Sequence, residues 1–207
     1  MPFRFPISFV LSILCLIISA CADVEPAANI SPTSKNREDY EAAAKELRKS
    51  AEGKDAAAQN RLGLLYNEGH GVPQDYGQAK HWFEKAAEQG HVEAQVNLGM
   101  LYLLGQGAPE SDQMALFWFR RAAKQEDALA FAKLGLMYAL GRGVPKDLIQ
   151  AHMWYNLSAA QGEKQASEFR DVLVKRMTPA QVAEAQNLAR EWKPKTKLVT
   201  TAPHAKP

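Results

Sequence analysis

Between about residues 55 and 165, small and apolar residues recur three and four positions apart, the period of helices buried along one side. In residues 55–68, Ala58, Leu62, Leu65 and Tyr66 fall within an arc of about 100° on a helical wheel, which predicts a helix with a core-facing stripe. A second helix comes next. Ala79, Trp82, Ala86 and Ala87 are spaced i, i+3, i+7 and i+8, and Gly90 marks its end. Between the two lies Gly69-x-Gly71-Val72-Pro73, whose first glycine suits the left-handed residue that closes a helix and whose proline prevents continuation. Asp75 then supplies an N-cap, and Gln78 three residues on predicts a capping box.

The whole pattern returns after 36 residues, and again after another 36. Ala58, Leu62, Gly63, Tyr66, Gly69, Gly71, Pro73, Ala79 and Trp82 recur as Ala94, Leu98, Gly99, Tyr102, Gly105, Gly107, Pro109, Ala115 and Trp118. They recur once more as Ala130, Leu134, Gly135, Tyr138, Gly141, Gly143, Pro145, Ala151 and Trp154. The caps keep step as Asp75, Ser111 and Asp147, and Asp147 with Gln150 predicts a second capping box. Two positions depart: Glu126 replaces Gly90, and Ser158 replaces Ala86. A glycine inside a helix costs about 1 kcal/mol relative to alanine. The return of Gly63 as Gly99 and Gly135 therefore implies a neighbour too close for a side chain.

These residues together resemble the Sel-1-like repeat, a relative of the tetratricopeptide repeat. Complete repeats fall at about 57–92, 93–128 and 129–165, within a repeat region of 37–192. The resemblance implies an all-α fold: an α/α solenoid, a right-handed superhelix of stacked helical hairpins. Segments 37–53 and 166–192 read as capping helices; Thr178-Pro179-Ala180-Gln181 gives an N-cap, a first-turn proline and a capping-box glutamine. Residues 193–207, with four lysines and three prolines, read as a disordered tail.

The N-terminus reads as an address. One arginine precedes an apolar core, residues 7–18, too short to span a bilayer and suited to a signal peptide over residues 1–20. The run Leu16-Ile17-Ile18-Ser19-Ala20-Cys21 resembles a bacterial lipobox, which implies that Cys21 is lipidated and anchors the exported chain to a membrane. Ala22 after the cysteine, in place of aspartate, implies the periplasmic face of the outer membrane. Cleavage after Ala22 by ordinary signal peptidase, releasing a soluble periplasmic or secreted protein, is the alternative. Residues 22–36, rich in Ala, Pro, Ser and Asn, read as a flexible tether.

A net charge of +2 gives no excess of the kind that drives nucleic-acid binding, and none is expected as a partner. The histidines His70, His81, His91, His152 and His204 form no metal-ligand spacing, so no metal, cofactor or catalytic residue is expected. Some cysteine-rich members of the repeat family are associated with β-lactam binding or hydrolysis, but this chain lacks their paired cysteines. A hydrolase or ligand-binding protein acting on cell-wall material stands as the alternative to a scaffold. The favoured reading is an adaptor that holds a protein or peptide of the cell envelope on its concave face. Opposite Leu62, the first helix carries Asn60, Leu64 and Asn67. One and two repeats on, the face reads Val96, Met100, Leu103 and Leu104, then Ala132, Leu136, Ala139 and Leu140, becoming apolar along the array. Such a row serves as a groove for an amphipathic helix or extended peptide, or as ordinary packing. The tryptophans Trp82, Trp118 and Trp154 read as packing.

Overall fold

The computed structural model describes residues 34–194. The signal segment, Cys21, most of the tether and the tail from residue 195 lie outside the described residues. The chain divides into two units, Met1–Asn36 and Arg37–Pro207, and the second holds the repeats. The helices are α1 (Ser34–Glu52), α2 (Ala56–Glu68), α3 (Tyr76–Glu88), α4 (Val92–Leu104), α5 (Asp112–Ala123), α6 (Ala128–Leu140), α7 (Leu148–Ala160), α8 (Lys164–Val174) and α9 (Pro179–Glu191). Each hairpin, α2·α3, α4·α5 and α6·α7, packs on itself, and α3·α4, α5·α6 and α7·α8 join one hairpin to the next. The result is an all-α, solenoid-like stack.

Side chains start the helices where the spacing predicts. Asp55 accepts from the amides of Ala57 and Ala58, Ser111 from Met114, Asp127 from Ala130, and Asp147 from Ile149 and Gln150. His91 caps α4 through Nδ1, 3.3 Å from the Ala94 amide. The glutamine half of the capping box forms only at Thr178, where Gln181 returns a bond to the backbone. At Asp75 and Asp147 the aspartate alone caps its helix. The Asp75 and Asp147 amides that the glutamines would serve already donate to the Tyr66 and Tyr138 carbonyls, at 2.9 and 3.0 Å.

Aromatic rings explain the glycines within the first helices. A Cβ on Gly99 would lie 2.5 Å from Cε1 of Phe119, and one on Gly63 or Gly135 nearly as close to Phe83 or Tyr155. The close neighbour is thus a ring on the second helix of the same repeat. Phe83, Phe119 and Tyr155 themselves keep the 36-residue phase. The second glycine of each turn joins repeats instead. A Cβ on Gly107 would lie 2.1 Å from the Tyr76 carbonyl oxygen of the preceding second helix, and Gly71 meets Tyr40 of α1 in the same way. Tyr40 precedes Tyr76 by 36, so α1 occupies the slot of a second helix.

Polar ladders repeat the phase. The hydroxyl of Tyr66 accepts from Arg48 at 2.5 Å, Tyr102 donates to Glu84 at 3.2 Å, and Tyr138 accepts from Arg120 at 3.2 Å. Gln59 donates to the Ala51 carbonyl (2.9 Å) and Gln95 to that of Ala87 (3.1 Å). The amides of Gln89 and Gln125 donate to those two glutamines in turn. Ser158, fully buried, donates to the Ala128 carbonyl at 2.7 Å, which reconciles a hydroxyl with its alanine-lined position.

Glu126 closes the second repeat in a left-handed conformation, φ 61°, where Gly90 and Gly162 stand in the other two. Left-handed backbone costs a residue with a Cβ about 1–2 kcal/mol, partly offset by the greater chain entropy a glycine loses on folding. Glu126→Gly should therefore stabilise the fold by about 0.5–1 kcal/mol, a rise of roughly 2–4 °C in a thermal melt.

The array ends at α8, which takes the place of a fourth first helix. Ala166 follows Ala130 by 36 and is likewise fully buried. Where Leu and Gly would stand, Arg170 and Asp171 form an ion pair, and Arg170 also donates to Ser167 and Asn156. These polar residues seat no further hairpin. Instead α9 packs on α7, and Trp192 just beyond it meets Phe131 and Trp154 edge to face, with centroids 5.1 and 5.8 Å apart.

His152 of α7, 1% exposed, sits where repeat two has Leu116. Burial holds its imidazole below the ordinary value of 6.5, and the Arg170 charge adds to this while Asp171 opposes it. Above the unfolded value the histidine is neutral in both states and costs nothing. As pH falls below that value, the unfolded chain takes up the proton first, so stability drops until the folded value is passed. Urea titrations at pH 7.5 and 5.0 should show this loss, and His152→Leu should reduce it.

Candidate functional site

Each first helix leaves one stripe facing outward. The stripe comprises Ala57, Arg61, Leu64 and Glu68 on α2; Glu93, Asn97, Met100 and Leu104 on α4; and Leu129, Lys133, Leu136 and Leu140 on α6, all exposed or half-buried. Their i, i+4, i+7, i+11 spacing is one helical face. Leu104, Leu129 and Leu140 are 47%, 40% and 40% exposed, unusual values for leucines on helices whose other faces are closely packed. The stripe continues onto α8 as Val172, which follows Leu136 by 36 and is 50% exposed. An apolar line of Leu64, Met100, Leu136 and Val172 therefore crosses four helices in register.

Five of the sequence-derived site residues, Leu64, Met100, Leu104, Leu136 and Leu140, lie on this stripe. Three others do not reach the surface: Asn60, Val96 and Leu103 are 2%, 6% and 5% exposed. Asn60 is held between successive first helices, donating to Glu93 at 3.2 Å and accepting from Asn97 at 3.1 Å. Val96 occupies the same position one repeat on, and Leu103 is part of the main core cluster. Asn67 is half-buried, its carbonyl bonded by Gln74 at 2.8 Å; Ala132 and Ala139 are also half-buried. A first helix touches second helices on both sides and a first helix ahead, so its buried arc is wider than the side bearing Leu62. Leu129 and Val172 belong to the stripe although neither stood out in the sequence; the 36-residue shift applied to Leu136 finds Val172.

The acids on this face are already engaged. Glu93 accepts from Asn60, and Glu68 pairs with His70 at 3.0 Å. Burial pushes the nearby Asp127 carboxyl upward, and the charge of Glu93 adds to this. The second-helix tryptophans are structural: Trp82 and Trp118 are buried, with Lys85 and Arg121 over their rings at 4.7 and 5.2 Å. Their charged neighbours are also tied down, Lys80 to Glu84 at 2.7 Å and Arg120 to Tyr138. Among the described residues no group of three or more His, Cys, Asp or Glu could hold a metal, and no helix is long and apolar enough to cross a membrane.

Residues 56–91, 92–127 and 128–163 each match the Sel1 repeat, just over half the chain. The chain belongs to the Sel1 repeat family. Similar solved structures include a Sel1 repeat protein from Oxalobacter formigenes, 37% identical over 65% of this chain and 54% of that one, with a TM-score of 0.61. Another is c5321, described as a protective antigen of uropathogenic Escherichia coli strains displaying an SLR fold. It is 30% identical over 72% of this chain and 40% of that one, with a TM-score of 0.47. The chain spans about half the length of these Sel1 proteins or less. No curated protein matches. The chain is a helical-repeat protein, of a fold that serves protein–protein interaction.

Proposed function

We propose that the protein is a lipid-anchored adaptor, exported and held by Cys21 at the periplasmic face of the outer membrane, that binds a cell-envelope protein along its first-helix face. The observation that carries this reading is the exposed apolar surface of the stripe: Leu104 and Leu140, one repeat apart, with Leu129 on α6 and Val172 on α8. Exposed apolar side chains repeated along one surface offer area to a partner. The lipid at Cys21 would fix where that partner is met, since two or more acyl chains hold a protein at a bilayer without a spanning helix.

Two measurements test the reading. Cys21→Ser should move the protein from the membrane to the soluble fraction; retention in the membrane would refute the anchor. A partner captured from the envelope by the full chain should be lost when Leu104→Asp and Leu140→Asp are combined, and capture that survives the pair would refute the docking face.

A further inference from the structure

Each joint between a second helix and the next first helix carries a pair of residues one turn apart at the same two positions. Between α3 and α4 the pair is Lys80 and Glu84, salt-bridged at 2.7 Å, with the Tyr102 hydroxyl donating to Glu84. Between α5 and α6 it is Leu116 and Arg120, and Arg120 donates to Tyr138. In the last joint, between α7 and α8, the 36-residue shift gives His152 and Asn156, on one face of α7. Asn156 accepts from Arg170 of α8 at 3.4 Å, and Ser167 and Asp171 fix the same guanidinium. The imidazole that feels this cation is 1% exposed, and its Nδ1 has no hydrogen-bond partner. Of the six paired residues, only the histidine is of a type that changes charge between pH 5 and 8.

The helix seated on His152 is also lightly held. Ala166 and Leu173 are the buried residues of α8, against eight on α4, and Phe169 adds one ring contact to Tyr155. Of α2 to α9, α8 alone starts without a side-chain cap. Little else around the imidazole could absorb a new charge. Asp171, the carboxylate acting on it, is exposed and already paired with Arg170. On α6, Lys133 lies on the outward stripe and Tyr138 meets Arg120; on α7, Tyr155 faces Gly135 and Phe169; on α9, Glu184, Arg190 and Glu191 are exposed. We propose that the α7–α8 joint is an acid-operated latch, in which a proton on His152, buried against the Arg170 guanidinium, releases α8 from the third repeat. Release bares Ala151, His152 and Tyr155 on α7 and takes Val172 out of line with Leu136, so acid shortens the outward apolar line from four helices to three. The earlier joints stay closed, because stacked repeats contact only their neighbours and can open locally at an end.

Hydrogen exchange read by mass spectrometry on the full chain in detergent tests this, with rates at pH 7.5 and 5.0 each divided by the intrinsic rate at that pH. Protection of the α8 amides should fall about 5- to 30-fold at pH 5.0, the upper bound set by the roughly 1.5 pH units below the ordinary histidine value of 6.5. Protection of α2 to α5 should change by less than about twofold. His152→Leu, which installs the residue of the second joint, should hold α8 equally protected at both pH values. Arg170→Gln, which removes the facing cation, should narrow the fall and serves as the second variant should the first fold poorly. Equal α8 protection in the native chain at both pH values would overturn the latch. So would a loss that persists unchanged in His152→Leu or Arg170→Gln, or one spread evenly over all helices.

Discussion

Gly107→Ala should destabilise the protein by about 3 kcal/mol or more, read as a fall in the urea midpoint, whereas Gly90→Ala should cost only about 1 kcal/mol. Both glycines have positive φ, 68° and 92°, so both substitutions carry the left-handed penalty of about 1–2 kcal/mol, partly offset by reduced freedom of the unfolded chain. They differ in what surrounds them. A Cβ on Gly90 meets nothing within 4 Å, while one on Gly107 would stand 2.1 Å from the Tyr76 carbonyl oxygen and 2.5 Å from its carbon. Those are backbone atoms at the start of α3, and they cannot swing away as a side-chain tip could. The turn must lift off the preceding repeat, adding an overpacking cost of about 1–3 kcal/mol. Equal costs at the two sites would mean that conformation alone, and not contact between repeats, requires the second glycine of the turn.

The second large effect concerns binding. Leu104→Asp combined with Leu140→Asp should weaken capture of the partner about 100-fold or more, with little change in helix content or melting temperature. Both leucines are at least 40% exposed, so the carboxylates enter water and the fold has little to lose. In a complex the same carboxylates would be buried without partners against apolar side chains, a loss of about 2 kcal/mol or more at each central contact. Leu98→Ala supplies the opposite control. Leu98 is fully buried, and its truncation should cost about 2–5 kcal/mol of stability, leaving the outward stripe chemically intact. The stripe double variant and this core variant thus separate binding from folding.

The repeat length, helix order and capping residues were legible in the sequence because each rests on spacing along the chain. Trp82, Trp118 and Trp154 read correctly as packing for the same reason. The docking face was only partly legible. Leu104 and Leu140 could be placed outward, but Asn60, Val96 and Leu103 could not be recognised as buried. Their burial depends on the first helix of the adjacent repeat, contact that no single helix reveals. Asn60 shows this plainly, since its amide is satisfied by Glu93 and Asn97, more than thirty residues away. The predicted partner of the helix glycines was likewise a helix in general, whereas the structure supplies particular rings, Phe83, Phe119 and Tyr155. Their phase was present in the sequence; an aromatic set that mixes Phe and Tyr is simply less conspicuous than an invariant Trp. The end of the array was legible only as a change of pattern. Arg170 and Asp171 break the Leu-Gly pair, but that they pair with each other and leave α9 to fold back on α7 depends on three-dimensional contact.

The central claim is that the outward stripe of the first helices, and not the second-helix surface, holds the partner. Photo-crosslinking residues placed singly along the chain in the cell that makes it test this most directly. Crosslinks to one envelope protein should form from positions 100, 136 and 172 and be lost in the Leu104→Asp, Leu140→Asp background. The exposed second-helix positions 88, 113 and 120 should give none. Crosslinks to that protein from the second-helix positions, with silence along the leucine row, would contradict the account.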